Sequence, residues 1–525
     1  MTARGVSLGQ LGVKQVAEAA GIVEYRLKNG LKVLLRENRS APVVSFMIVY
    51  RVGSRNEAVG YTGSTHFLEH MMFKGTRKFN PANGTGVMEI LARIGALRNA
   101  TTWLDRTNYF ECAGSEYLEL CIQIEADRMR NLNLREDDRR SEMTVVRNEF
   151  ERGENNPASA LHKEVISLAF REHPYHHPTI GWRSDVEGVP LERLRDFYNT
   201  YYWPDNATVI AVGDFEADKA LRLVNKYFGV IPKAPHKIPA VYTVEPPQEG
   251  ERRVEVCRAG DLPQLMIAYH TPQADHADTY PLAVMHSILG DAGKRSSRLY
   301  KALMETGLAT SCYAGNGEFR DPHLFSLGAT LAPGKDFAEV EQAIYAELEK
   351  MAREPVSQDE LQRARKANRK GTILAGADPQ TFANMLCSAE SVADWQWLVN
   401  YDDLYDAVSA DDIMRVAATY FERSNRTVGH FLPTDRQGVA ANFSAPAVEM
   451  DITAKAGGKA ANAQKKPAER RLPLPVPGSG GSNFAEKVNR VVLPTGLPVL
   501  AMNTPGTGSV SLFGPIAPGA CLGSA

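Results

Sequence analysis

The 525-residue chain has no long apolar run and almost no net charge, and each absence excludes a class of protein. No stretch approaches the roughly 18 apolar residues that a membrane-spanning helix needs, so we expect no membrane span. The 60 Lys and Arg residues against 62 Asp and Glu give a formal net charge of −2. Such a chain offers no overall positive field to a nucleic acid backbone, and we expect no nucleic acid partner.

Cysteine is scarce, and the N-terminus lacks the pattern of an export signal. The six cysteines lie far apart, without a C-x-x-C pair, which indicates neither a cysteine zinc site nor a disulfide framework. In residues 1–20, Ser7, Gln10 and Lys14 interrupt the apolar residues, so no continuous hydrophobic core of a signal peptide forms. We therefore expect a cytoplasmic protein, or a periplasmic one if the true start lies upstream.

The length and the local patterns predict several domains of the α+β class. Asn29-Gly30 marks a hairpin between two short strands, and strands then alternate with helices. A polar, proline-containing segment near 233–250 separates a first domain at 20–240 from a second at 241–440. The segment 453–483 is rich in Ala, Gly, Lys and Pro, which predicts a flexible linker. Helices are predicted in the first domain at 65–73, 85–94, 116–132, 141–152, 191–202 and 217–228.

A weak internal repeat follows the linker. The run LKNGLKVL at 27–34 returns as LPTGLPVL at 493–500, so that Gly496 follows Gly30 by 466 residues. This repeat predicts that residues 484–525 are the truncated start of a third domain. Chance similarity between two hairpins is the alternative interpretation.

The run HFLEH at 66–70 is the most informative motif. On a helix, His66 and His70 are about 40° apart around the axis, so both imidazoles can contact one metal ion. Glu69 lies about 60° from His66 on the other side. The alternative is a solvated helix face on which the two histidines bind nothing.

A catalytic zinc ion needs a third protein ligand and one open position. Glu142 and Glu149 are seven residues apart on a predicted helix, hence on one face, and Val145 and Val146 lie beside them. Paired carboxylates on a partly apolar stripe are costly unless a cation or hydrogen-bond donors compensate them. A solvated acidic face remains the alternative.

These residues resemble the inverted zinc motif of the pitrilysin/insulinase metallopeptidases, with Glu149 at 79 residues after His70. Five further segments in the family's order extend the resemblance over about residues 20–435. They are GSTHFLEHMMFKGT, RNATTWLDRTNYFE, HPYHHPTIGWRSDVEGV, FYNTYYWPDNATVIAVGDF and SSRLYKALMETGLATS. The resemblance implies two homologous domains, each a β-sheet packed with helices, of which only the first is catalytic.

The resemblance also implies roles for individual residues. One Zn²⁺ per chain would be bound by His66, His70 and Glu149, with Glu69 as the general base and Glu142 as a carboxylate next to the ligands. Asn99, Ala100 and Thr101 would form an edge strand that pairs with the substrate backbone. For Asn99, a turn residue that ends a core strand is the alternative.

The implied function is a zinc endopeptidase acting on unfolded peptides. Similar enzymes enclose the substrate in a chamber of four such domains, to which the far half contributes an Arg and a Tyr. Neither residue occurs at the corresponding positions 303–305 and 309–311, so a second half-chain or a homodimer partner is implied. The alternatives are a peptide-binding subunit, in which the motif is normally broken, and an inactive half-enzyme.

Overall fold

The structure is a computed structural model that describes residues 12–290, 294–434, 488–494 and 497–502. A seven-stranded sheet organises the first domain. Its order is β1-β2-β3-β7-β4-β6-β5, and β3 and β7 are its one parallel pair. The strands are β1 (Lys14–Ala19), β2 (Ile22–Arg26), β3 (Lys32–Glu37), β4 (Val43–Tyr50), β5 (Leu97–Thr102), β6 (Thr107–Gly114) and β7 (Ala207–Gly213).

The predicted hairpin at Asn29-Gly30 joins β2 to β3. Gly30 has φ 91°, a backbone conformation that glycine adopts without strain. The buried Asn29 side chain donates hydrogen bonds to the carbonyls of Phe228 and Ile231, both at 2.8 Å. The turn is therefore tied to a segment some 200 residues later in the chain.

Helices cover one face of this sheet. Alternate residues of β4, including Phe46 and Ile48, are fully buried against Phe67, Leu68 and Met71 in one core. The helices of the first domain are α1 (Ser64–Met71), α2 (Val87–Arg93), α3 (Leu118–Asn131), α4 (Glu136–Glu154), α5 (Pro157–Ala169), α6 (Arg183–Gly188), α7 (Leu191–Tyr201) and α8 (Ala217–Phe228).

The second domain has a five-stranded sheet with the order β10-β11-β9-β12-β8. Its strands are β8 (Arg252–Arg258), β9 (Gln264–Thr271), β10 (Ala309–Asn316), β11 (His323–Leu331) and β12 (Arg426–Pro433). Its helices are α9 (Thr279–Gly290), a π-helical turn at Tyr300–Met304, α10 (Phe337–Arg353), α11 (Gln358–Ala377), α12 (Pro379–Val392), α13 (Trp395–Ala407) and α14 (Ala410–Tyr420). In the described residues no helix is long and apolar enough to cross a membrane.

The two sheets repeat one topology. The order β3-β7-β4-β6-β5 in the first corresponds strand for strand to β8-β12-β9-β11-β10 in the second. The parallel pair, β3 with β7 or β8 with β12, occupies the same place in each. The predicted α+β class with two homologous domains is therefore confirmed.

Each domain packs one of its helices on the other domain's sheet. Leu161 and Val165 of α5 pack in a cluster with residues of β8, β9 and β12. Conversely, Leu386 of α12 packs against Met47 and Ile210 on the second face of the first sheet. Buried Glu390 of α12 also binds Lys32 at 2.8 Å, so polar as well as apolar contacts join the domains. The domains thus share cores across the predicted boundary.

A separate two-stranded sheet comprises β13 (Val488–Val492) and β14 (Pro498–Met502). Its register repeats that of β2 and β3 at the same offset of 466 residues: Val491 pairs with Val499 as Tyr25 pairs with Val33. The linker 453–483 and most of 484–525 lie outside the described residues. A third domain therefore stays a prediction, supported by this shared register.

Candidate metal centre

The start of α1 is fixed by a buried carboxylate. Glu57 accepts hydrogen bonds from the backbone N–H groups of Gly63 and Thr65, each at 2.7 Å. Gly63 has φ 82°, and a Cβ there would lie 2.4 Å from the carbonyl oxygen of Ile180. Glycine at 63 and the acceptor at 57 therefore fix where the helix begins and how it is oriented.

The two faces of α1 differ as the motif predicted. Phe67, Leu68 and Met71 are fully buried in the core. His66 and His70 lie together on another face, with ring centroids 4.8 Å apart. The i, i+4 spacing therefore places both imidazoles beside one point in space.

Glu149 of α4 reaches the same point. Its Oε2 atom lies 3.7 Å from His66 Nε2 and 3.5 Å from His70 Nε2. Ligand atoms about 2.0–2.1 Å from one zinc ion at tetrahedral angles are about 3.3 Å apart, and the two distances to Glu149 are close to this value. All three donor atoms lie within 4.8 Å of one another, so this set of residues has the chemistry and approximate spacing of a zinc site. Among the described residues, this is the one group of three or more His, Cys, Asp or Glu residues that converges closely enough to bind a metal. The Glu149 side chain is 48% exposed, so water and substrate can reach the site.

Glu142, two turns before Glu149 on α4, orients one of the imidazoles. Its Oε1 atom lies 2.8 Å from His70 Nδ1, and its other oxygen pairs with Lys74. Burial tends to raise the pKa of Glu142, but the hydrogen bonds from His70 and Lys74 outweigh it and lower the pKa. A carboxylate that accepts the Nδ1–H proton leaves the Nε2 lone pair free for a metal.

The two histidines experience different electrostatic environments. Burial lowers the pKa of His66 to about 4, and neighbouring His70 adds to the effect. Burial also tends to lower the pKa of His70, but its contacts with Glu142 and Glu149 raise it to about 9. A divalent cation at Nε2 of His70 competes with that proton for the same lone pair.

Glu69 is positioned by the sheet. The carboxylate is buried, and Thr102 Oγ1 at the end of β5 donates a hydrogen bond to its Oε2 atom. Burial raises the pKa of Glu69, and the bond from Thr102 opposes the rise. A carboxylate with a raised pKa beside a metal site is suited to accept a proton from water near neutral pH.

β5 forms one edge of the first sheet. Among the described strands it pairs with β6 alone, and Asn99 lies opposite Phe110 within that pairing. Asn99 and Thr101 are exposed, while Ala100 is buried. The predicted edge strand is present, and Asn99 is a strand residue and not a turn residue.

Other expectations require correction or addition. Val146 is buried as expected, but Val145 is 47% exposed and does not contribute to an apolar stripe. Sequence reasoning missed the contacts of Lys74, Thr102 and Glu57. The first two had signals: Lys74 lies four residues after His70, and Thr102 alternates with Ala100 on one face of β5.

The chain matches two domain families. Residues 32–182 match the insulinase domain of peptidase family M16, and residues 188–368 match the domain described as the peptidase M16 inactive domain. A zinc protease of Helicobacter pylori named PqqE is 31% identical over 413 residues, which cover 78% of this chain and 92% of that protein. An uncharacterized zinc protease of Mycobacterium leprae is 28% identical over 385 residues, 72% of this chain and 84% of that one.

Solved structures agree in fold. The crystal structure of a Helicobacter pylori protease superposes with a TM-score of 0.75 at 30% identity, covering 78% of this chain and 99% of that one. The first half of the periplasmic protease PqqL from Escherichia coli has a TM-score of 0.66 at 17% identity, covering 80% and 94%. The second similarity concerns the fold alone.

Proposed function

This chain belongs to peptidase family M16, the insulinase family, and on that premise we propose that it is a zinc-dependent endopeptidase that hydrolyses unfolded peptides. The observation that carries the proposal is the convergence of His66, His70 and Glu149 on one point, beside the buried carboxylate of Glu69. Two nitrogen donors, one oxygen donor and an open side are the arrangement of a catalytic zinc site.

Each residue has a distinct task in this proposal. His66, His70 and Glu149 would hold a zinc ion, which when bound would supply Lewis-acid chemistry: a lowered pKa of water, toward about 7, and polarisation of the scissile carbonyl. Glu69 accepts the proton of the attacking water and later donates it to the leaving amine, while Thr102 holds one of its oxygens in place. Glu142 keeps His70 in the tautomer that presents Nε2 to the metal.

Substrate binding is proposed at the free edge of β5. A peptide that adds as a further strand would use the backbone groups of Asn99, Ala100 and Thr101, since their outer side has no partner strand in the described chain. Main-chain pairing tolerates many sequences and requires an extended substrate. It therefore favours unfolded peptides over folded proteins.

A partner is part of the proposal because the site lies open on one side. Half of the Glu149 side chain is exposed, and a second half-chain or a second copy of this chain would close a chamber over it. A cytoplasmic location, with the periplasm as alternative, stays a prediction. Peptide substrates are the expected ligands in either compartment.

A second candidate function is a peptide-binding subunit without catalytic activity. The match of residues 188–368 to an inactive domain favours it for the second domain. The complete set of donors in the first domain favours the peptidase.

Metal removal tests the proposal. The purified chain should bind one zinc ion and cleave a quenched fluorescent peptide; a chelator should abolish cleavage, and added zinc should restore it. Glu69→Gln is the matched control, because it should retain zinc yet lose cleavage by about 10²–10⁴-fold. Wild-type cleavage rates in Glu69→Gln would refute the assigned base, and chelator-resistant cleavage would refute the metal mechanism.

A further inference from the structure

An aromatic pair beside the end of β5 joins the two domains: Trp103 is exposed, and Phe319 is partly buried. Trp103 directly follows Thr102, and its side chain is 53% exposed. Its ring stacks on Phe319 of the second domain, with centroids 6.4 Å apart and planes 25° apart. Phe319 in turn stacks on buried His323, at 4.0 Å between centroids. The indole therefore presents an apolar surface to solvent on a packed base.

The backbone of Trp103 is held on both sides. Its N–H donates to the carbonyl of Arg106 at 2.8 Å, and its own carbonyl accepts from the N–H of Ser54 at 3.1 Å. These bonds fix the turn between β5 and β6. The fixed backbone and the contact of the indole with Phe319 together limit the motion of the ring, so a ligand that covers it costs little further conformational entropy.

A polar network under the pair joins the two domains. Asp105 accepts hydrogen bonds from the Tyr175 hydroxyl at 2.7 Å and from the backbone N–H of Arg320 at 3.1 Å. Arg55 pairs with Asp105 and also with Asp321 at 2.7 Å. The network keeps Phe319 next to Trp103, because Arg320 directly follows Phe319 in the chain.

The position of the pair relates it to a bound peptide. Glu69, the proposed general base, accepts a hydrogen bond from Thr102, the last residue of β5. The scissile bond therefore lies close to the carboxyl end of β5. Antiparallel pairing is the commoner arrangement, so we consider a peptide that runs antiparallel to β5. The peptide residues that precede the scissile bond then extend beyond the carboxyl end of β5. Those residues then lie beside Trp103 and Phe319.

Resting on the proposed function, we propose that Trp103 and Phe319 form a subsite that selects a large apolar substrate side chain on the N-terminal side of the scissile bond. Burial of such a side chain between aromatic surfaces changes discrimination by about 10- to 200-fold. The subsite takes one contact from each domain, so the second domain contributes to specificity although it has no metal ligands of its own in the described residues.

The test uses peptides that differ only in the three residues before the cleaved bond. Mass spectrometry of the products identifies which bond is cleaved. Phe or Leu there should raise kcat/KM about tenfold or more over Ala or Asp. Trp103→Ala should remove this preference by lowering kcat/KM for the Phe and Leu peptides about tenfold more than for the alanine peptide. Trp103→Phe should retain most of the preference, and Phe319→Ala should reduce it. Tyr242→Ala, which removes an aromatic residue that is 89% exposed, is the matched control and should change nothing.

The outcomes separate this inference from the proposed function. Cleavage without an apolar preference, or a preference that survives in Trp103→Ala, overturns the subsite and leaves the peptidase standing. If the wild type cleaves no peptide, the same peptides are tested for binding to the Glu69→Gln variant by fluorescence anisotropy. Tighter binding of the Phe peptide that is lost with Trp103→Ala supports the subsite; equal binding, or none, overturns it. Trp103→Gln serves if the alanine variant does not fold.

Discussion

The two domains share one sheet topology but differ in the helices that cover it. In the first, α1 follows β4 and presents His66 and His70 toward Glu149 of α4. In the second, α9 follows β9 at the corresponding place in the chain, and its sequence TYPLAVMHSILG contains one histidine among mostly buried residues. The fold therefore needs a helix at this position, whereas the metal donors are an addition that only one copy carries.

The two domains also differ in what compensates a carboxylate on a helix. In the second domain, Arg298 holds Glu360 of α11 with two hydrogen bonds of 2.8 and 3.1 Å. That pair needs no cation, because the guanidinium already supplies the positive charge. In the first domain Glu149 of α4 faces two imidazoles instead, and a metal ion would supply the charge. In the second domain an arginine therefore compensates the carboxylate, whereas in the first domain a bound cation would do so.

The largest effect should come from removing a metal donor. Glu149→Gln should weaken zinc binding by about a hundredfold or more, since even residues that only orient ligands contribute about 10–100-fold. Glu360→Gln in the second domain is the matched control and should leave the zinc content unchanged. Metal analysis after dialysis measures both; stoichiometric zinc in Glu149→Gln would sink the ligand assignment.

Next in size is a substitution that tests the shared cores. Leu386 of α12 is fully buried against the first sheet, so Leu386→Ala should lower the free energy of unfolding by about 2–5 kcal/mol. Leu404→Ala, on the exposed side of α13, should cost less than about 0.5 kcal/mol. Urea unfolding measures both values. Similar small losses in the two variants would contradict the exchange of helices between domains.

A smaller effect is expected from the carboxylate behind His70. Glu142→Gln removes the negative charge that orients the imidazole, and zinc affinity should fall by about 10–100-fold. Glu151→Gln on the same helix is a control, because its exposed side chain pairs with Arg183 at 3.4 Å and is not one of the three converging donors. Competition with a fluorescent chelator gives the affinities. Unchanged zinc affinity in Glu142→Gln would show that the contact with His70 has no part in binding.

The smallest effect concerns the salt bridge of the second domain. The hydrogen bond from Arg298, opposed in part by burial, lowers the pKa of Glu360 to about 2. A depressed folded-state pKa means that the pair stabilises the fold at neutral pH and loses this contribution as the pH falls from about 4.5 toward 2. The difference in unfolding free energy between wild type and Glu360→Gln should be of order 1 kcal/mol at pH 7 and should shrink over this range. A difference that does not vary with pH would contradict the assignment.

Local patterns predicted much of the first domain. The helix at 217–228 is found with those bounds, because its apolar residues recur at helical spacing and are buried on one side. The helix expected at 141–152 begins earlier, at Glu136. Its first turn is charged and carries no apolar period, so exposed ion pairs such as Arg140 with Glu136 extend it without a hydrophobic signal.

Contacts between distant segments were beyond local patterns. That α5 packs on the second sheet and α12 on the first could not be inferred, since each helix is amphipathic whichever sheet it covers. Trp103 gave no sequence signal for its contact with Phe319, which lies more than 200 residues later. Such contacts depend on how the two domains dock.

The sequence by itself determined that His66 and His70 share a face of one helix, because a spacing of four residues fixes their relation through local geometry alone. Only the tertiary structure decided that Glu149 meets them, that Thr102 holds Glu69, and that an aromatic surface from two domains borders the edge strand. These relations join segments far apart in the chain, and their distances are set by the packing of helices on sheets, which no single segment encodes.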